Sequence, residues 1–358
     1  MPENTLDSIE VLKDSKIIWL ENSRIIAIFA VVFLHVAGKV VDHNSIGSEY
    51  WWIGNIYESM VRWCVPVFVM ISGALLLDPN KKEGISEFYR KRTSRILNPL
   101  IAWSIIFLIW RFFKEFLQGH KPTAIELVNH LLLGRPYFHM WFLFMIIGLY
   151  LFTPFLRKIV AQSTTSELIF FICATFAISS INTLFSMESK LFINWFLSYL
   201  PYYFLGYLIT TTDISLPKQV LSILFTLSIL LTSLGYFIIT KNYDPTDIYF
   251  YEDLGATVIL MSVSIMFLFK YLQNPILGSN LTNTISTLTL GIYLIHPAIL
   301  DVVLNFVDIT AMSFNTMKSI PTIIIKVITI PVTAIITFLL SLFCVWLINK
   351  IPYVKIIV

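Results

Sequence analysis

Roughly ten apolar runs, each near twenty residues long, fix the architecture open to this chain. Their approximate limits are 17–40, 56–77, 96–117, 137–156, 167–184, 191–211, 219–240, 249–271, 285–306 and 321–349. In a bilayer every backbone N–H and C=O must be satisfied, and a helix does this within one segment while crossing about 30 Å of hydrocarbon. The sequence therefore predicts an all-α, polytopic membrane bundle. Composition agrees: 57% of the 358 residues are hydrophobic and 13% are charged, against about 25% charged in an ordinary soluble domain. Residues 1–16 are expected to form a cytoplasmic N-terminal tail, and 17–358 a single membrane domain. The first run is long enough to stay in the bilayer as a signal anchor. The fifth run is short and the tenth carries Lys326 and Pro331, so these are the least regular. Residues 123–133 read as a short interfacial helix rather than a crossing.

Lys and Arg counts in the connections set the orientation. With the N-terminus inside, fourteen fall on the cytoplasmic side, including Lys81, Lys82, Arg90, Lys91, Arg92, Arg95 and Arg157. Eight fall outside, including Arg111, Arg135, Lys190 and Lys318. Both termini are expected to be cytoplasmic, in a multi-pass protein of the cell membrane. Cys64, Cys173 and Cys344 lie far apart inside apolar runs and offer neither a disulfide framework nor metal spacing. No nucleic-acid motif, Gly-rich phosphate loop, Gly-x-Ser-x-Gly elbow or metal-ligand pattern is present. Expected partners are membrane lipids, not nucleic acid.

Two ionisable residues interrupt the first run. Arg24 and His35 bracket ten residues that are all Ala, Val, Ile, Leu or Phe. Eleven helical steps return to within about 20° of the starting direction and rise about 16 Å, so the two side chains share a face. Burial of such groups in lipid favours a working site over an inert polar pair. His35 suits a general base for a hydroxyl, and Arg24 a deeper anchor for an anionic or carbonyl group. In the predicted topology Glu58, Arg62 and His139 start near the outer face, and Tyr293 and His296 lie at mid-depth. These groups are expected to converge as a substrate site, with Trp141 beside His139; for Trp141 the competing role is an interfacial anchor. The segment Lys81–Arg95 places Arg92 and Arg95 three apart, with Arg90 close by. Guanidinium groups suit phosphates, so a phosphorylated cosubstrate such as coenzyme A is one candidate; contact with anionic lipid head groups is the other. The outer loop Lys241–Asp253 mixes acids and tyrosines, a pattern suited to a glycan but also to a plain solvated loop.

Five motifs, in order along nearly the whole chain, resemble the membrane acyltransferase-3 family of surface polysaccharide O-acyltransferases. They are Glu21-Asn-Ser-Arg24 with His35; Pro66-Val-Phe-Val-Met-Ile-Ser-Gly73; Phe88-x3-Arg92-x2-Arg95-Ile-x2-Pro99; His139-x-Trp-Phe-Leu143; and Gly291-Ile-Tyr-Leu-Ile-His296-Pro. Within the family, the chain resembles the enterobacterial common antigen O-acetyltransferase type. Ser23 departs from the pattern, which usually has an apolar residue before the arginine. The resemblance implies transfer of an acetyl group from cytoplasmic acetyl-CoA to a hydroxyl of an exported or lipid-linked glycan. It implies His35 as catalytic residue with Arg24 and Glu21 of the opening motif, Arg92 and Arg95, with Arg90, as the donor-binding group, and no metal. Direct transfer and a covalent acyl-histidine both remain open. The competing functions are a polysaccharide or small-molecule transporter on the same scaffold, against which the lack of internal repeats weighs, and a membrane sensor, for which no output domain is visible.

Overall fold

The computed structural model describes residues 3–81, 83–185, 194–306 and 322–358, with the side chains of 3–17, 322 and 323 left aside. Lys82, Lys190 and Lys318, used above to set the orientation, lie outside the described residues. Thirteen α-helices and no strand occur among the described residues. They are α1 (Glu3–His43), α2 (Glu49–Val61), α3 (Cys64–Leu76), α4 (Ile85–Arg92), α5 (Asn98–Leu117), α6 (Ala124–Leu132) and α7 (Trp141–Gln162). The rest are α8 (Thr165–Leu184), α9 (Trp195–Thr211), α10 (Lys218–Asn242), α11 (Ala256–Phe269), α12 (Ser279–Phe306) and α13 (Thr322–Asn349). Nine helical segments among them are long and apolar enough to cross a membrane. The expected crossing 191–211 corresponds to α9, of which 17 residues are described. The all-α polytopic bundle is thus borne out, and the short helix expected at 123–133 is α6, started by a Thr123–Glu126 capping box.

Several boundaries differ from those read off the sequence, each for a physical reason. The first crossing does not end at residue 40 but runs on to His43. Gly38 is no cap; a Cβ there would stand 3.4 Å from Glu58 Oε1, so the missing side chain makes room for α2. The turn falls instead at Gly47, whose φ of 81° suits glycine. The second crossing begins at Glu49 rather than 56, started by the Ser48 hydroxyl, which accepts from the Trp51 N–H at 3.3 Å. It is also interrupted at Arg62–Trp63. Pro66 has no N–H to give to the carbonyl of residue 62, so the helix is broken four residues before the proline. The basic segment is not a loop: α4, a π-helical turn at Thr93–Leu97 and α5 form one helical run. Arg157, expected in a connection, is buried inside α7.

The chain folds as two compact units. The first comprises residues 1–71 and 209–345. Here α1 packs on α2, α11 and α12, and α10 packs on α2 and α11. Ile28, Val32, Val36 and Val40 form a fully buried row along α1 at four-residue spacing, a ridge for neighbouring helices. Asn22 ties this helix down near its middle, where the apolar crossing begins. Its amide donates to the carbonyls of Leu272 and Asn274 at 2.9 and 2.8 Å, and its oxygen accepts from the Ile276 N–H at 3.2 Å. Lys326, an apparent irregularity in the last crossing, pairs with Glu49 at 3.5 Å.

The second unit comprises residues 72–208 and 346–358. Here α4 and the π-helical turn pack on α7, and α5 packs on α6 and on the 3₁₀ turn Val354–Ile357. Two glycines permit close approach: Gly73 lies against the Tyr203 carbonyl and Gly148 against the Phe196 ring. Large apolar side chains such as Phe113 and Phe170 remain exposed, as a lipid-facing surface requires.

Candidate functional site

Each unit holds a polar cluster. In the first unit α1 brings His35 beside His296 of α12. The rings are near-parallel, at 21°, with centroids 5.2 Å apart. His296 is fully buried and His35 half-buried. Tyr293, one turn earlier on α12, is buried with its ring centre 6.1 Å from that of His296. One turn beyond His35, at Gly38, lies the buried Glu58 carboxylate of α2. Glu58 forms an ion pair with Arg62, four residues on at the C-terminal cap of α2. Arg62 also donates to the Tyr251 carbonyl at 2.9 Å, and its guanidinium lies 3.8 Å above the Tyr251 ring. Tyr251 in turn stacks on Tyr236 at 3.8 Å and donates its hydroxyl to Asn55 Oδ1 at 2.6 Å. One Glu58 oxygen, Oε2, and the Arg62 Nε are buried with no hydrogen-bond partner.

Of the residues singled out in the sequence, His35, Glu58, Arg62, Tyr293 and His296 therefore gather in one unit. Arg24 lies on the same four-residue row of α1 as Ile28 and Val32, half-buried and N-terminal to them. Glu21 is half-buried one turn before it. The neighbouring Ser23 is fully buried and gives its hydroxyl to the Trp19 carbonyl at 2.6 Å, which explains how a polar residue stands where the resembling pattern has an apolar one. His139 and Trp141 belong to the second unit. His139 is buried in an aromatic box of Phe107, Tyr137 and Phe138, and Trp141 packs on Trp195 and Tyr199.

The second unit's cluster is a cleft of about 610 Å³ lined by Lys81, Glu83, Lys91, Arg92, Ser94 and Arg95. Arg92 and Arg95 thus share it, while Arg90 is exposed on α4 and is not among the lining residues. The π-helical turn supplies Ser94 and Arg95; such turns are frequent at functional sites. Below them the Phe88 ring is fully buried between two guanidinium groups, Arg92 at 5.4 Å and Arg157 at 4.9 Å. Arg157 donates through Nε to the Leu76 carbonyl at 2.6 Å and reaches Glu83 at 3.4 Å. Glu83 is further paired with Lys91 at 3.2 Å. Burial raises the Glu83 pKa, but the hydrogen bonds from Lys91 and Arg157 and the charges of Arg92 and Lys91 outweigh it and hold the carboxyl below its ordinary range. Burial, then the charges of Arg157 and Arg92, push the Lys81 ammonium down. An amine lowered by neighbouring cations marks a site of excess positive potential. The Nε of Arg92 is buried without a hydrogen-bond partner.

Sequence reasoning missed Arg157, Asn22 and Asn55. Arg157 was detectable as a cation immediately after the apolar run 137–156; the two asparagines act through backbone groups distant in sequence, Asn55 donating to the Ser233 carbonyl at 3.0 Å, which no local pattern announces. In the outer loop, Tyr243 is 81% exposed, as a solvated loop predicts, but Tyr251 is 4% exposed and structural.

No curated protein and no solved structure gives a match to the chain. A family model described as an acyltransferase domain matches residues 17–350, nearly the whole chain and both polar clusters. The chain therefore belongs to the acyltransferase-3 family and is a multi-pass membrane acyltransferase.

Proposed function

We propose that this acyltransferase moves an acetyl group from cytoplasmic acetyl-CoA to a hydroxyl of an exported or lipid-linked surface glycan, in the cell membrane, with His35 as the general base. The observation that carries this reading is His35 itself: an imidazole on an otherwise apolar helix face, set beside a second buried imidazole and one turn from a buried carboxylate. Imidazole is the side chain best matched to proton transfer near neutral pH. In the transfer, the hydroxyl oxygen bonds to the acetyl carbon as the C–S bond breaks. The hydroxyl proton passes to His35 and then to the departing thiolate, so no free alkoxide forms.

Coenzyme A carries a diphosphate and a ribose phosphate, and the cleft in the second unit suits them. Lys81, Lys91, Arg92 and Arg95 face it with one carboxylate, Glu83, which the cations already neutralise. Planar guanidinium groups bind phosphate oxygens in pairs. Arg24, on the His35 helix, carries a guanidinium suited to an anionic or carbonyl group. Arg62 is committed to Glu58 and Tyr251, so in this reading it shapes the acceptor side together with Glu58 rather than standing as an isolated oxyanion donor.

The test is equilibrium binding of acetyl-CoA by the full chain in detergent, wild type beside the double variant Arg92→Ala/Arg95→Ala. The expected result is saturable binding by wild type and a loss of about tenfold or more in the variant, as removal of charged hydrogen bonds to phosphate entails. Well-folded wild type that binds no acetyl-CoA but exchanges glycan across proteoliposomes would replace the enzyme reading with a transporter.

A further inference from the structure

The α12 sequence Tyr293-Leu-Ile-His296-Pro297 contains a device for fixing one histidine tautomer. In an unbroken helix the N–H of residue 297 would donate to the carbonyl of residue 293. Pro297 has no N–H, so that carbonyl is left without its helical donor in the middle of a crossing. His296 takes the vacant place: its Nδ1 lies 2.7 Å from the Tyr293 oxygen and 3.2 Å from the Ile292 oxygen. A carbonyl oxygen only accepts, so Nδ1 carries the hydrogen. In the neutral ring the proton-accepting lone pair is then on Nε2. Proline and histidine are adjacent, so each makes sense of the other: the proline opens a carbonyl and the histidine closes it.

We propose that Pro297 locks His296 as a hydrogen-bond acceptor through Nε2, and that Nε2 receives a hydroxyl of the molecule on which His35 acts. The role of His35 rests on the function proposed above; the lock does not. His296 is thereby a substrate-binding residue with a defined polarity, and Pro297 its positioning residue. A hydroxyl-bearing acceptor fits this arrangement, because His296 with its hydrogen on Nδ1 accepts through Nε2 and offers no hydrogen there. The first imidazole would remove a proton and the second would hold the acceptor against it.

Two substitutions separate this role from a structural one. Asparagine carries a donor where Nδ1 stands but nothing at the Nε2 position, and glutamine carries its amide oxygen near the Nε2 position. In membrane vesicles supplied with radiolabelled acetyl-CoA, His296→Gln should label the glycolipid fraction several-fold better than His296→Asn. Pro297→Ala should lower the maximal rate about tenfold or more without changing the KM for acetyl-CoA, on the scale of acid–base contributions. In the nitrogen-15 histidine spectrum of the full chain in nanodiscs, wild type should show a signal of the Nδ1–H tautomer. That signal should vanish in His296→Gln and become a tautomer mixture in Pro297→Ala. Labelling by His296→Asn equal to or above that of His296→Gln would overturn the binding role. An Nε2–H tautomer in wild type, or one unmoved by Pro297→Ala, would overturn the lock. If wild-type vesicles transfer no acetyl group, the proposed function and the binding role fall together, and the spectrum still decides the lock.

Discussion

Replacing Arg157 by methionine tests how the phosphate-suited cleft is supported. Arg157 is 8% exposed, and three contacts hold it: the Leu76 carbonyl at 2.6 Å, Glu83 at 3.4 Å and the Phe88 ring at 4.9 Å. The short hydrogen bond from a charged donor is worth roughly 1.5–3 kcal/mol. The ring contact adds about 0.5–1 kcal/mol. The Glu83 arm adds little, because Lys91 at 3.2 Å stays to pair the carboxylate. Methionine fills most of the volume, so the loss is polar rather than a cavity. The sum is roughly 2–4 kcal/mol, which at about 2–4 °C per kcal/mol for a unit of this size lowers the melting temperature by roughly 4–16 °C. The assay is intrinsic-fluorescence melting of purified protein in one detergent, with Arg157→Lys beside it. Lysine keeps the charge but not the planar fork, so it should recover only part of the loss. With the second cation gone from beneath Phe88, Arg92 is less firmly placed, and acetyl-CoA affinity should fall even though Arg157 is not among the residues that line the cleft. Melting of Arg157→Met within about 1 °C of wild type would refute the reasoning, since none of the three contacts could then carry the assigned energy.

Other consequences are equally direct. Gly73→Ala should yield no monodisperse protein on size exclusion, because its Cβ would overlap the Tyr203 carbonyl, whereas Gly84→Ala, with nothing within 4 Å, should behave as wild type. Glu83 has a folded pKa below its ordinary 4.5, so its stabilisation is present above pH 4.5 and is lost as pH falls through the lower folded value. Melting temperature should decline on acidification through that window, and Glu83→Gln should flatten the decline. Asn22→Ala removes three hydrogen bonds that join α1 to the turn before α12, a loss of roughly 2–4 kcal/mol visible in the same melting assay.

The fold was legible because lipid leaves so few choices: twenty apolar residues in a row can hardly be anything but a crossing helix. What hydropathy could not place were breaks caused by single residues. Pro66 interrupts a run that is apolar on both sides, and Gly38 reads as a stop yet serves as a socket for Glu58. The candidate site was half legible. Arg24 and His35 stand out as ionisable residues on an apolar helix, and their spacing alone puts them on one face. That His35 meets His296, 261 positions later, follows from α1 packing on α12, which no local pattern encodes. Likewise the positive charges of the basic segment were plain, but Arg157, which braces them, comes from a different helix.

The most direct test of the account is acetyl transfer by His35→Gln beside wild type, both reconstituted in proteoliposomes with radiolabelled acetyl-CoA, with donor binding measured on the same preparations. The account predicts that His35→Gln binds acetyl-CoA as wild type does and loses transfer by about 10²-fold or more, the contribution of a general base. Full transfer by properly inserted His35→Gln would contradict it.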